Sequence, residues 1–228
     1  MPSRRVGTGT LCRSTGERPM SVDQDAPAAS TTIIFDYGEV LSRPQSSTTK
    51  RHMEDISGVG AADFWAAYWS LRRPYDEGQP ATEYWRAVAA EVGTEWTPAQ
   101  LQSLWAADLG GWLDLDPRGV ELLDTLTARE TPLVLLSNAP RDLAAALRHS
   151  PALSGFHTLF FSGELGLAKP DPLIYDHVMR ELAIPAEHAL FVDDREENIL
   201  AADRRGIRTH HFTGLDALTQ DLATRGLL

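Results

Sequence analysis

Three short apolar stretches in this 228-residue chain are each followed at once by a polar residue that can bind a ligand. Residues 32–35, 132–136 and 189–192 are rich in aliphatic and aromatic side chains, which is typical of strands buried on both faces of a sheet. The first stretch ends before Asp36 and the third before Asp193. Because open α/β sheets bind ligands just beyond the carboxyl ends of their strands, these positions constrain both the fold and the place of its chemistry.

Helix signals alternate with these stretches. Asp116 and Asp171 each precede a proline and begin a segment with apolar residues along one face, as in a helix that an aspartate caps and a proline opens. Residues 195–205 form a further predicted helix that ends at Gly206, and a short strand and a final helix follow it. The alternation predicts an α/β fold, with a parallel sheet and right-handed crossovers.

Residues 44–114 interrupt this alternation. They contain three predicted helices and no buried strand, and all six tryptophans of the chain lie among them. We therefore expect an all-helical insert at residues 44–114, within a core made of residues 32–43 and 115–228. Most of the tryptophans are expected in the interior of the insert, since a small bundle needs large side chains, but an aromatic face that closes over a substrate is the alternative.

Composition excludes some functions. A formal net charge of −11 argues against general nucleic-acid binding, which depends on lysine and arginine, but it allows a small phosphorylated ligand held by a few local groups. Residues 1–31 lack a sustained apolar run, so we expect a disordered tail there and neither a signal peptide nor a membrane span. Cys12 is the single cysteine, which excludes an intramolecular disulfide and favours a reducing, cytoplasmic location.

Acidic residues at two of the predicted strand ends are candidates for chemistry. A buried carboxylate is costly unless it meets a cation, hydrogen bonds or a reacting group, so Asp36 is either a nucleophile or a turn residue before Gly38. Asp193 and Asp194 repel each other unless a cation such as Mg²⁺ lies between them; the alternative is that one of them caps the next helix. Asn198 would lie one helical turn further on, where it could orient a metal ligand.

Three other residues could contact a phosphate. Ser137 and Asn138 follow the second apolar stretch, where a hydroxyl and backbone amides can bind an anion, although Asn138 could equally cap a helix. Lys169 could neutralise charge on a nucleophile and on phosphoryl oxygens, whereas a lone lysine is more commonly a solvated loop residue. The candidate groups together, in this order along the chain, are more specific than any one of them, and they indicate phosphoryl-group chemistry.

These stretches, Phe35-Asp36-Tyr37-Gly38-Glu39, Ser137-Asn138, Lys169-Pro170 and Asp193-Asp194, resemble the motifs of the haloacid dehalogenase-like hydrolase superfamily. The resemblance covers approximately residues 32–225. It implies a Rossmann-like core, a helical cap inserted after the first motif, dependence on Mg²⁺, and an aspartate that becomes phosphorylated. By position it implies these roles: Asp36 as nucleophile, Lys169 as the catalytic lysine, Ser137 and Asn138 as phosphate-binding residues, and Asp36, Asp193, Asp194 and the Gly38 carbonyl as metal ligands.

One departure from the family pattern concerns the general acid. Phosphatases of this superfamily usually carry a second aspartate two residues after the nucleophile, and here that position is Gly38. Glu39 is the nearest carboxylate and could replace it. The Asp-x-Gly form is similar to the subgroup that includes α-D-glucose-1-phosphate phosphatases, which implies a small phosphorylated metabolite as substrate. Without the acid, esters with poor leaving groups should react slowly, so a sugar 1-phosphate or a similarly activated ester is favoured.

Two other functions fit the same residues. A phosphate-binding protein with weak or no turnover would keep the scaffold after losing the acid. A 2-haloacid dehalogenase would use Asp36 on carbon, but it needs no metal and has little reason to keep Asp193 and Asp194 together.

Overall fold

The computed structural model describes residues 31–228 of the chain. Within this range five parallel strands form one sheet, and they are β1 (Thr32–Phe35), β2 (Leu133–Ser137), β3 (Thr158–Phe161), β4 (Ala189–Asp193) and β5 (Arg208–His211). Their order across the sheet is β3-β2-β1-β4-β5. The predicted α/β class is therefore confirmed, whereas the predicted tail at residues 1–31 lies outside the described residues except for Thr31.

Helices fall into two groups. Those between β1 and β2 that make up the helical insert are α1 (Ser47–Ser57), α2 (Ala61–Ser70), α3 (Arg72–Asp76), α4 (Ala81–Glu91) and α5 (Pro98–Trp112). The others are α6 (Pro117–Ala128), α7 (Arg141–Leu147), α8 (Ser162–Leu165), α9 (Pro172–Leu182), α10 (Glu196–Asp203) and α11 (Leu215–Thr224). Asp116 and Asp171 cap α6 and α9 by accepting hydrogen bonds from backbone amides, as predicted. None of the helices within residues 31–228 is long and apolar enough to cross a membrane.

The sheet is covered on both faces, which explains its uninterrupted apolar strands. Successive residues of β1 point to opposite sides, so Ile33 packs with one apolar cluster and Ile34 with the other. The first cluster includes Leu126 of α6 and Leu218 of α11, and the second includes Ile174 of α9. The central strands are therefore held rigidly, and so are the polar residues at their carboxyl ends.

The helical insert has an apolar core of its own and is connected to the sheet by two segments of chain, here called the neck. Its core includes Tyr68 and Trp85, both fully buried. At the neck the two connecting segments pair as an antiparallel bridge between Ser42 and Leu115. The bridge thus joins the two segments through which the chain enters and leaves the insert.

A buried polar network crosses the helical insert around Asp108, whose residue surface is only 3% exposed. Its Oδ1 accepts hydrogen bonds from the Tyr68 hydroxyl at 2.7 Å, from Gln45 Nε2 at 3.0 Å and from Trp112 Nε1 at 3.2 Å. Its Oδ2 lies 3.2 Å from a guanidinium nitrogen of Arg72. The network therefore fixes the orientation of Trp112 and Arg72 relative to the rest of the insert.

Replacing Asp108 by alanine is expected to lower the free energy of unfolding by about 3 to 5 kcal/mol, because three hydrogen-bond donors lose this acceptor and Arg72 is left with Asp76 as its only acidic partner among the described residues. Urea unfolding followed by tryptophan fluorescence measures the loss in the insert, where all six tryptophans lie. Asp55→Ala, at an exposed position on α1, is the matched control and should change the free energy by about 0.5 kcal/mol or less. Equal stabilities of the two variants would show that the network adds nothing.

Candidate active site

The strand order reverses next to β1. The chain proceeds from β1 to β2 and β3 on one side and then to β4 and β5 on the other, so β1 and β4 border the crevice of the sheet. Asp36 directly follows β1, Ser137 ends β2 and Asp193 ends β4. Doubly wound sheets bind their ligands at such a reversal, outside the carboxyl ends of the strands. Three of the predicted site residues therefore share this position.

Lys169 lies at the centre of the site. Its Nζ is 2.8 Å from Asp36 Oδ1 and 2.7 Å from Asp193 Oδ2, and it donates to the Leu136 carbonyl at 2.9 Å. The residue is only 5% exposed, so the alternative of a solvated loop lysine is wrong. Although burial opposes the charged form, the two aspartates raise the pKa of Lys169 above its ordinary value. The site therefore contains a fixed ammonium group between two carboxylates.

Asn138 holds the loop that carries Lys169. Its Oδ1 accepts from the Lys169 backbone amide at 2.8 Å, and its Nδ2 donates to the Lys169 carbonyl at 2.8 Å. The capping alternative for Asn138 is wrong, because the residue at the start of α7 is Pro140 and makes no side-chain cap. Ser137, next to it, is buried and lines a cavity at the carboxyl ends of the strands. Asn138 thus positions the lysine through its side chain, a contact between residues far apart in sequence.

Asp193 is fully buried and is oriented by its neighbours. Its Oδ1 accepts from the Arg195 amide at 2.8 Å and from Asn198 Nδ2 at 2.9 Å. Asn198 is fixed in turn, because its carbonyl accepts from the Tyr175 hydroxyl at 3.1 Å. Arg195 is the N-cap residue of α10 and makes no side-chain cap, so neither Asp193 nor Asp194 is the N-cap residue of that helix. The structure thus brings Asn198 to Asp193, where it can hold that carboxylate in one orientation.

The three carboxylates of the site lie close enough to share one cation. Asp36, Asp193 and Asp194 each offer an oxygen atom within 4.8 Å of the other two. Burial raises the pKa of Asp36 to about 7, although the ammonium of Lys169 opposes that shift. Burial and then the nearby Asp193 raise the pKa of Asp194. One lysine faces three carboxylates, and this excess of negative charge with oxygen-only donors suits a hard divalent cation.

Gly38 and Glu39 lie in the turn after the first strand. The Glu39 side chain is exposed, and its backbone has a left-handed φ of 57°, with its amide donating to Ser42 Oγ at 3.2 Å. A Cβ atom at Gly38 would lie 3.6 Å from Cζ3 of Trp112. An aromatic ring of the insert therefore stands beside the position at which the resemblance implies an acid.

A cavity of about 490 Å³ opens above these residues. Its floor belongs to the sheet and includes Asp36, Ser137 and Lys169, and its opposite wall belongs to the insert and includes Trp69 and Trp112. Sequence reasoning did not identify the two tryptophans as site residues. The concentration of tryptophans in the insert was the available signal, but which of them face the sheet depends on how the insert is placed.

Known proteins resemble this chain in sequence. A family model for haloacid dehalogenase-like hydrolases matches residues 8–205. The sesquiterpene phosphatase astK of Aspergillus oryzae is 31% identical over 119 residues, which are 52% of this chain and 60% of that protein. Phosphoglycolate phosphatase 1 of Pseudomonas aeruginosa is 31% identical over 125 residues, which are 54% of this chain and 46% of that protein. The chain thus spans about half the length of these two relatives.

A solved structure is similar in fold. It is a HAD family enzyme of Bacteroides thetaiotaomicron in complex with magnesium and inorganic phosphate. The TM-score is 0.65 at 21% sequence identity, and the match covers 79% of this chain and 92% of that one. The likeness extends over the sheet and the helical insert together, since it covers most of both chains.

Proposed function

This chain belongs to the haloacid dehalogenase-like hydrolases, and from that membership we propose that it is a Mg²⁺-dependent phosphatase acting on a small phosphomonoester. The observation that carries the proposal is the Lys169 ammonium held between Asp36 and Asp193 at the crevice of the sheet. Relatives that are phosphatases support the reaction class. In this proposal residues 32–43 and 115–228 form the catalytic core, and residues 44–114 form a cap over it.

Asp36 is the proposed nucleophile. Its Oδ1 is held by the Tyr37 amide at 2.7 Å and by Lys169, which leaves Oδ2 without a hydrogen-bond partner among residues 31–228. A carboxylate oxygen attacks phosphorus, an aspartyl-phosphate forms, and the bond from phosphorus to the leaving oxygen breaks. Water then attacks phosphorus, which releases inorganic phosphate and restores Asp36. The Lys169 ammonium favours the ionised form of this carboxylate against the effect of burial and neutralises phosphoryl charge, and the Ser137 hydroxyl donates to a phosphoryl oxygen.

Mg²⁺ is the proposed cofactor. Asp36, Asp193 and Asp194 would hold it together with the Gly38 carbonyl, and Asn198 would keep Asp193 in position. When bound, the ion neutralises the charge of the three carboxylates and of the phosphoryl oxygens. The side chains present fit this ion, because all three are oxygen donors and their negative charges outnumber the single positive charge of Lys169.

The residue at position 38 limits which leaving groups the proposed site can expel. Gly38 supplies no proton, and the exposed Glu39 is one residue away from the place of the usual acid. General acid catalysis typically contributes a factor of about 10² to 10⁴, so its absence slows esters whose leaving oxygen is strongly basic. An anomeric oxygen leaves more readily than a simple alkoxide. We therefore favour a sugar 1-phosphate, or an ester of similar reactivity, as the substrate. This is the kind of substrate that α-D-glucose-1-phosphate phosphatases use.

The test is the release of inorganic phosphate from phenyl phosphate, glucose 1-phosphate and glucose 6-phosphate, with Mg²⁺ and with a chelator. We expect release that requires Mg²⁺ and that is slowest for glucose 6-phosphate, whose leaving oxygen is a simple alkoxide. Phosphate binding without release from any ester would indicate a binding protein instead. Halide release from a 2-haloacid without metal would indicate a dehalogenase.

Replacing Gly38 by aspartate is expected to raise kcat/KM for glucose 6-phosphate about 10- to 100-fold and to change that for phenyl phosphate little, because only the alkoxide needs the added acid. A Cβ atom at position 38 would lie 3.6 Å from Cζ3 of Trp112, which is an ordinary van der Waals distance, so the first atom of the new side chain fits. Steady-state kinetics on both esters measure the effect. If Glu39 already served as the acid, Gly38→Asp would change neither ester, and Glu39→Gln would slow glucose 6-phosphate selectively.

A further inference from the structure

Two indoles of the helical insert face the active-site cavity. Trp69 of α2 and Trp112 at the end of α5 both line it, with ring centroids 6.5 Å apart and planes at 81°. Trp69 is 47% exposed, and it is the only aromatic residue among the four large hydrophobic residues exposed on the described chain. Ligand cavities are lined mainly by apolar and aromatic side chains, so the two indoles are suited to contact a ligand in this cavity.

Trp112 is fixed close to the nucleophile. Its Nε1 donates to Asp108 Oδ1 at 3.2 Å and to the Tyr68 hydroxyl at 3.3 Å, and its carbonyl accepts from the Tyr37 hydroxyl at 2.7 Å. Its ring stands next to Gly38, two residues after Asp36. The part of a substrate that touches this ring must therefore be the part that is bonded closely to the phosphoryl group.

We infer that the leaving oxygen of the substrate is bonded directly to a six-membered ring, and that this ring packs against Trp69 and Trp112. The inference rests on the proposed phosphatase function. Indoles bind flat apolar faces, which both an aryl ring and the C–H face of a pyranose present. An aryl oxygen and the anomeric oxygen of a pyranose also leave more readily than a simple alkoxide, as anions that take a proton from water, which suits a site with Gly38 in place of an acid.

The size of the cavity agrees with such a substrate. Its volume of about 490 Å³ lies in the lower half of the range of small-molecule sites, about 300 to 1,000 Å³. A single ring with its phosphate fits within a cavity of this size. Trp69 thus determines specificity, whereas Asp36 and Lys169 act on the phosphoryl group that all substrates share.

The test compares ring-bearing esters with acetyl phosphate, an activated substrate without a ring. For Trp69→Ala we expect the ratio of kcat/KM for phenyl phosphate to that for acetyl phosphate to fall about tenfold, mainly through KM. Trp69→Phe should recover most of the ratio, since it keeps an aromatic face. Trp65→Ala is the matched control, one helical turn earlier on α2, where the indole donates to Glu54 at 2.6 Å, and it should leave the ratio unchanged.

The outcomes distinguish the inference about the ring from the proposed phosphatase function. An unchanged ratio for Trp69→Ala, with glucose 1-phosphate behaving like phenyl phosphate, would overturn the inference while the phosphatase function stands. A fall confined to one of the two ring substrates would support the inference and assign the ring as aryl or pyranose. Failure of the unaltered protein to release phosphate even from acetyl phosphate would overturn the proposed function, and the inference with it.

Discussion

Asp36→Asn is expected to lower kcat for phosphate release by about 10⁴-fold or more. An amide cannot attack phosphorus, and no other carboxylate takes the place of Asp36 in forming the bond to phosphorus. The substitution preserves the shape of the side chain, and its carbonyl oxygen can still accept from the Tyr37 amide, which now lies 2.7 Å from Oδ1. The variant should therefore fold normally. Single-turnover assays of phosphate release, together with circular dichroism, measure activity and folding separately.

The matched control is Asp203→Asn, which changes an exposed aspartate at the end of α10 in the same chemical way. Its kcat should equal that of the unaltered protein. Retention of activity within tenfold in a folded Asp36→Asn variant would show that Asp36 is not the nucleophile, and a direct attack of water on phosphorus would then be the simpler mechanism.

Lys169→Met is expected to lower kcat about 10² to 10³-fold, since the ammonium no longer neutralises charge on phosphoryl oxygens. It should also lower the free energy of unfolding by about 3 to 5 kcal/mol, because Asp36 and Asp193 lose the cation between them. Burial already raises the pKa of Asp36 to about 7, and protonation of Asp36 in mildly acidic buffer removes its charge, so the loss of stability should be larger in mildly basic buffer. Urea unfolding at the two pH values and steady-state kinetics measure the two effects.

Lys50→Met serves as the control, since Lys50 is the only other lysine of the chain and is exposed on α1. It should leave kcat unchanged and change stability by about 0.5 kcal/mol or less. A Lys169→Met variant that keeps full activity would assign the lysine to structure alone. A variant with unchanged stability at both pH values would show that the two aspartates do not repel each other when metal is absent.

The sheet and the residues at its strand ends could be predicted because both depend on local sequence. An apolar run followed by Asp36 or Asp193 marks the end of a buried strand wherever the strand lies in the sheet. β3 gave no comparable signal, since Thr158–Phe161 is an edge strand whose first two residues are only half-buried. α1 was not predicted either, because Ser47–Ser57 is largely polar and only two of its residues are buried.

Contacts between distant segments could not be predicted. Asn138 fits a helix cap when only its neighbours in sequence are considered, and its actual partner is the backbone of Lys169. Trp69 and Trp112 share the insert with four other tryptophans, and only the placement of the insert over the sheet selects those two for the cavity. The polar residues at the strand ends can thus be predicted from the sequence, while the surface that contacts the rest of a substrate cannot.

The stereochemical course at phosphorus tests the central claim most directly, because it does not depend on how much aspartyl-phosphate accumulates. A phosphorothioate ester whose two non-bridging oxygens are different isotopes is hydrolysed in water enriched in the third isotope, and the configuration of the released chiral thiophosphate is measured. Attack by Asp36 followed by attack of water gives two inversions, so the account predicts net retention. Net inversion would mean a single displacement by water and would contradict an intermediate on Asp36.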